Sequence, residues 1–250
     1  EHHLARCSVE VRTGCTVQTL SQSRGGYVVL FSNADGADES LRADAVVCAM
    51  GGSAGPQFGT DGFGPRFAAQ CGGALAPLYP CLTALQCAKP DKRLAGIRAK
   101  AHAALYNGST LLADYRGEVQ FTDYGLSGIC IMDLTRHLTP AVKSPAVELD
   151  LFPDVAEDAL SALFAARVPL LPGDTAADFW LGLLNAKLGR ALWQAVGLPD
   201  ADVHRLSAAQ WQKLAHIAKH WRFEGLTPCG WKQAQVTGGG LALTELEPDF

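Results

Sequence analysis

Asp44-Ala45-Val46-Val47-Cys48-Ala49-Met50-Gly51-Gly52 is the run whose reading decides the fold of this chain. Its middle is wholly apolar, as in a strand covered on both faces of a sheet, and it stops at paired glycines. Val236-Thr237-Gly238-Gly239-Gly240 repeats the pattern near the other end. Glycines directly after a buried strand let backbone amides approach a bulky ligand, because no Cβ stands in the way. In open α/β sheets the space past the carboxyl end of a strand is where nucleotide cofactors lie. Two such pieces, far apart in sequence, are what a discontinuous nucleotide-binding domain leaves on either side of an insertion. No Gly-x-Gly-x-x-Gly fingerprint opens the chain.

Working outward, the sequence before this run reads as β structure. Short strands are expected at 8–11, 16–20 and 27–31, with Gly25-Gly26 as a turn and 33–39 as a polar turn cluster. Residues 41–50 return as one strand. Beyond the glycines a helix over 65–71 is ended by Gly72-Gly73. From 74 to about 152 the pattern is strand-like again, at 82–85, 97–106, 111–112, 119–122 and 147–151. Asn107-Gly108 is a hairpin signal and Arg116-Gly117-Glu118 a turn, so a small barrel is expected. Between 154 and 223 the periodicity becomes helical. Pro169 and Pro172 break the first helix, Asp174 or Thr175 caps the next, Gly197 ends another, and Ser207 caps 208–220. Strands return at 233–236 and 241–246. The expected fold is α+β and multi-domain. It has a partial α/β nucleotide-binding domain at 1–73, a β-barrel at 74–152, a helical subdomain at 153–228, and a return to the first domain at 229–250.

Composition narrows the function classes. With 250 residues, 48% of them hydrophobic and 18% charged, the chain is globular rather than disordered. A net charge of −4 gives no general reason to expect nucleic acid. No apolar run approaches the ~20 residues of a membrane helix. The start, Glu1-His2-His3-Leu4, has no signal-peptide pattern and no Met, which reads as a chain cut from something longer. Eight cysteines (Cys7, Cys15, Cys48, Cys71, Cys81, Cys87, Cys130 and Cys229) never form a Cys-x-x-Cys pair. They read as reduced thiols in a cytoplasmic protein. His216 and His220 stand at i, i+4 but lack the Glu and third ligand of a zinc helix, so no metal is expected.

Five motifs in order make the chain resemble FAD-dependent flavoproteins of the YhiN-like, aminoacetone oxidase-like group of NAD(P)/FAD-dependent oxidoreductases. Ala49-Met50-Gly51-Gly52 is similar to that family's Ala-Thr-Gly-Gly. Residues 59–64, Gly-Thr-Asp-Gly-Phe-Gly, stand for its Gly-Ser-Thr-Gly-Asp-Gly loop. Pro77-Leu78-Tyr79-Pro80-Cys81-Leu82 and residues 121–128, Phe-Thr-Asp-Tyr-Gly-Leu-Ser-Gly, match two further segments. Val236-Thr237-Gly238-Gly239-Gly240-Leu241, followed by Glu245-Leu246-Glu247-Pro248, matches the last. Three departures stand out: Met50 replaces Thr, Asp123 replaces His, and Ile129 stands where Pro is common. The family's N-terminal dinucleotide fingerprint and C-terminal Gly-Glu-x-x-Asp stretch have no counterpart. The expectation is therefore that the isolated chain neither retains FAD nor is active.

The resemblance implies FAD bound by Val17, Met50, Gly51, Gly52, Thr237, Gly238 and Gly239. It implies hydride transfer with a small-molecule substrate, and oxygen or NAD(P)H as electron partner. Tyr79, Thr122, Tyr124 and Ser127 are either a substrate wall or structural turn residues, and Ser127 is also a candidate N-cap for 128–137. No acid–base catalyst stands out. The alternative is a non-enzymatic barrel and helical module binding RNA or protein. Its basic stretch would be Lys89, Lys92, Arg93, Arg98 and Lys100, interrupted by Asp91.

Overall fold

The structure, a computed structural model, describes residues 2–7, 9–70, 72–171, 175–198 and 203–245. The expected strand residue Ser8, the helix end at Cys71, Pro172, the cap Asp174 and the motif residues Leu246, Glu247 and Pro248 lie outside them. The elements in chain order begin with α1 (His2–Arg6), β1 (Thr16–Ser23), β2 (Gly26–Ser32), β3 (Asp38–Ala43), α2 (Phe63–Gln70), β4 (Leu75–Cys81) and β5 (Leu85–Cys87). They continue with β6 (Arg98–Asn107), β7 (Thr110–Phe121), β8 (Gly125–Ser127), α3 (Ile129–Leu134), β9 (Pro145–Asp150) and α4 (Glu157–Arg167). The last are α5 (Ala176–Phe179), α6 (Ala186–Ala195), α7 (Ala208–Lys219), β10 (Trp221–Phe223), β11 (Leu226–Pro228) and β12 (Val236–Leu241). Helices and strands are mixed in an α+β arrangement, and no described helix is long and apolar enough to cross a membrane.

The described strands form three sheets. Strands β1, β2 and β3 form an antiparallel meander. Asn33 shapes its second turn by accepting hydrogen bonds from the amides of Asp35 (3.0 Å) and Ala37 (2.9 Å). The largest sheet has the order β10-β9-β6-β7-β8-β5-β11. Its two edge strands are consecutive in sequence, joined by Glu224 and Gly225, so the sheet curls until its edges lie side by side. Among the described residues no ladder closes the barrel; the chain itself spans the seam. The expected Asn107-Gly108 hairpin is present, with Asn107 opposite Thr110. The third sheet pairs β12 with β4.

One hydrophobic core runs from the barrel into the helices. It includes Leu105, Val119 and Leu149 from strands and Leu160, Leu192 and Leu214 from helices. An aromatic cluster fills the helical part: Phe164 meets Phe179 edge-on at 5.4 Å, and Phe179 stacks on Trp211 at 5.0 Å. Lys219 at the end of α7 donates to Asp150 of β9 at 2.7 Å and to the Phe152 carbonyl at 2.8 Å, tying the helices to the barrel. Two expected caps hold. Thr175 and Asp178 form a reciprocal capping box on α5, and the Gln210 side chain accepts from the Ser207 amide at 2.8 Å on α7.

The structure corrects several sequence expectations. Residues 44–50 are not a buried strand. They run on from β3 without a ladder, and Val47 is 89% exposed. Their apolar pattern is that of a strand, but none of the described strands pairs with it, and backbone pairing decides the state. Residues 9–11 likewise form no strand. The expected strand at 82–85 is broken at Leu82, whose φ of 48° turns the chain from β4 toward β5. Residues 116–118 are not a turn: β7 runs through them, and Gly117 is small because a Cβ there would press on Cys130 of α3 at 3.1 Å. Gly128, not Ser127, caps α3. The two expected terminal strands are the single strand β12, with its glycines inside rather than after it.

Candidate functional site

The two glycine motifs meet. Residues 50–54 lie beside β12, and the Thr237 hydroxyl accepts hydrogen bonds from the amides of Ser53 (2.7 Å) and Ala54 (3.1 Å). Thr60 donates its hydroxyl to the Gly52 carbonyl. Gly55 N–H reaches the Trp231 carbonyl at 2.9 Å, and the Gln57 amide donates to the Lys232 carbonyl at 3.0 Å. The loop after position 50 is thus held by the strand about 180 residues later.

Between these pieces lies a cleft of about 630 Å³, walled by the loop at 50–54, Thr60, the first turns of α2, and β12. Met50, Gly51, Gly52, Thr237 and Gly239 line it, together with Cys48, Ala68, Gln235 and Gly240. No charged side chain does so among the described residues. The glycines divide into two kinds. A Cβ on Gly51 would meet only the Thr60 hydroxyl at 3.8 Å, and one on Gly240 would meet nothing within 4 Å, so both face open space. Gly51 also takes a φ of 72°, which an L side chain resists. A Cβ on Gly238 would run into the Tyr79 ring and one on Gly239 into the Pro77 carbonyl, so these two are small because β4 lies against them. Gly52 is crowded in the same way by Thr237. The amides of Gly51 and Gly52 make no hydrogen bond among the described residues.

The other expected residues lie elsewhere. Val17 sits in β1 opposite Phe31 and does not line the cleft. Gly238 does not line it either. Tyr79 packs its ring under Gly238 and donates its hydroxyl to the Arg136 carbonyl at 2.9 Å; burial pushes its phenol up from the ordinary value. Thr122 and Gly125 close a tight turn, the Thr122 amide donating to the Gly125 carbonyl and the Gly125 amide to the Thr122 hydroxyl, at 2.8 and 2.9 Å. Tyr124 lends its carbonyl to the Cys87 amide, and burial pushes its phenol up. Ser127 pairs with Gln120 in the barrel sheet. Of these four, Thr122 lines a second cleft of about 560 Å³ at the barrel seam, with Lys89, Phe121, Trp221 and Phe223.

The sequence reading missed Ala68 and Gln235 in the glycine cleft. The apolar face of α2 pointed to Ala68; nothing in the sequence singles out Gln235. The basic stretch is partly neutralised, since Arg93 pairs with Asp91 at 2.6 Å and Arg98 with Glu118 at 2.9 Å. The described cysteines are all free.

Comparison with known proteins gives this geometry a family. The chain is 32% identical, over its whole length, to a 3-dehydro-bile acid delta(4,6)-reductase of Clostridium scindens, of which it covers 61%. It is 26% identical over 83% of its length to a ribosomal RNA dihydrouridine synthase of Escherichia coli, covering 50% of that protein. A ribosomal RNA dihydrouridine synthase of Haemophilus influenzae is 26% identical over 78% of the chain, which covers 47% of it. The chain thus spans about half to three-fifths of the length of these curated relatives. The family described as HI0933-like protein barrel and H2TH domain matches residues 79–236, which hold the curled sheet and the helices packed on it. The chain belongs to this HI0933-like, YhiN-like family of FAD-dependent oxidoreductases.

Proposed function

We propose that the cleft between residues 50–54 and β12 forms part of an FAD site, in a protein that transfers hydride between FAD and a small-molecule substrate. The observation that carries this reading is the uncharged, backbone-rich wall: two glycines facing open space, two amides with no partner among the described residues, and Thr237 fixing the loop. Such a wall suits the planar ring and ribityl parts of a flavin, which approach backbone closely. FAD, when bound, supplies the hydride chemistry. The chain's own residues bind it, orient it and exclude water. None of the described lining residues is an Asp, Glu, His, Lys, Arg or Tyr, so no proton donor is assigned here.

The names of the relatives suggest a substrate class. A delta(4,6)-reductase of a 3-dehydro substrate and a synthase of dihydrouridine both saturate a carbon–carbon double bond conjugated with a carbonyl. We extend that chemistry to this protein: the substrate accepts hydride on the carbon β to a carbonyl and a proton on the α carbon, while the reduced flavin is oxidised. The greater identity to the bile acid reductase favours a small molecule. A second reading rests on the two relatives named for ribosomal RNA, and on Trp221, Phe223 and Lys89 at the barrel seam, where a base could stack beside a cation.

The test is anaerobic. The protein loaded with reduced FAD is mixed with a 3-oxo-4,6-diene steroid acid and, separately, with uridine-containing RNA. Return of the oxidised flavin spectrum with the steroid alone is expected. Reoxidation by RNA alone would establish the second reading, and reoxidation by neither would overturn both.

A further inference from the structure

We propose that His216, His220 and Glu157 form a divalent-cation site of zinc-type chemistry, oriented by Glu148, where the helices meet the barrel. His216 and His220 stand one turn apart near the end of α7, away from the buried face carried by Trp211, Leu214 and Ala218. The third ligand, which the sequence reading lacked, comes from another element: Glu157 opens α4, which packs against α7. One carboxylate oxygen lies 3.1 Å from His216 Nδ1 and the other 3.2 Å from His220 Nε2. One ligand atom from each of the three residues falls within 4.8 Å of the other two.

Two features go beyond a chance surface cluster. The first is orientation. His220 Nδ1 lies 3.0 Å from Glu148 Oε1 in β9. Donation of the Nδ1 proton to that carboxylate leaves the Nε2 lone pair directed at Glu157, the outer-shell arrangement that fixes the tautomer of a metal-binding histidine. The second is spacing. Ligand bonds of ~2.0–2.1 Å in tetrahedral geometry place ligand atoms about 3.3 Å apart. Each imidazole lies about that far from one Glu157 oxygen, though from a different one, so a cation bound to a single oxygen would draw the three ligand atoms in from within 4.8 Å of one another.

Two imidazoles and a carboxylate select zinc-like ions over magnesium or calcium, and three protein ligands leave a fourth position for water. The site ties α7, α4 and β9 together immediately before β10, whose Trp221 and Phe223 line the seam cleft. A bound cation therefore stiffens the helix–barrel junction. This inference is independent of the FAD reading, because none of its residues lines the glycine cleft.

Zn²⁺ and Co²⁺ are titrated calorimetrically into the 250-residue chain, with thermal unfolding measured alongside. One cation per chain is expected, with a Tm raised by Zn²⁺ and not by Mg²⁺. The His216 side chain is 64% exposed, so His216→Asn leaves the core intact. His216→Asn and Glu157→Gln should each weaken binding by at least about tenfold, and Glu148→Gln by about tenfold through loss of orientation. The Co²⁺ spectrum should show nitrogen and oxygen ligation without a thiolate charge-transfer band. No heat and no Tm change at saturating Zn²⁺ would overturn the proposal. So would equal binding in the His216→Asn and Glu157→Gln variants, which would place the cation on other ligands.

Discussion

Thr237 holds two amides from the opposite end of the sequence on a single hydroxyl oxygen. Thr237→Val keeps the shape and removes the acceptor, leaving the Ser53 and Ala54 amides unpaired. The expected loss is about 2 kcal/mol, read in chemical denaturation, with Thr237→Ser restoring most of it. A second prediction concerns thiols. Burial pushes Cys87 and Cys130 from the ordinary 9.0 up to about 11. The folded state then keeps protons that the unfolded chain releases, so this contribution is complete below pH 9 and is lost as pH rises toward about 11. Tm should fall across that window, and iodoacetamide at mildly alkaline pH should label exposed Cys48 well before Cys130. At this scale the sequence was half legible. It showed that glycines matter at 51–52 and 238–240. It could not show that Gly238 and Gly239 are small because of Tyr79 and Pro77, since the opposing strand is not visible in a pattern of residues.

The starts of α5 and α7 were readable because capping is local. Thr175 accepts from the Asp178 amide at 3.2 Å, and Thr175→Ala should cost about 1 kcal/mol, measured as a lowered denaturation midpoint. Packing between elements was not readable. Gly189 lies in the middle of α6, where glycine ordinarily weakens a helix. Its reason is Trp180, whose ring occupies the space a Cβ would need. Gly189→Ala should therefore destabilise by about 2–3 kcal/mol despite the better helix propensity of alanine, and a rise in Tm would contradict this packing. Strand assignment failed where it depended on partners. The run at 44–50 has the composition of a buried strand, yet none of the described strands pairs with it, whereas β6 and the Asn107-Gly108 turn into β7 were legible because that hairpin is local.

Across the whole molecule, a curled sheet and a helical layer share one core, and the ribbon of β4 and β12 leads from it to the loop at 50–54. The alternation of strand-rich and helix-rich sequence foreshadowed this layout. The meeting of the two glycine motifs followed from reading them as two pieces of one interrupted domain rather than from any local signal, because 184 residues separate Ser53 from Thr237. The central claim is that this meeting point takes a flavin. The most direct measurement is a titration of FAD with the full-length protein, followed by flavin fluorescence, in wild type, Ala68→Phe and Ala88→Phe. Ala68 lies on α2 in the wall of the glycine cleft, and Ala88 lines the seam cleft. Saturable quenching that weakens at least about tenfold in Ala68→Phe (about 1.4 kcal/mol) and is unchanged in Ala88→Phe is the predicted result. Quenching unaffected by Ala68→Phe, or no saturable binding by the full-length wild-type protein, would contradict the account.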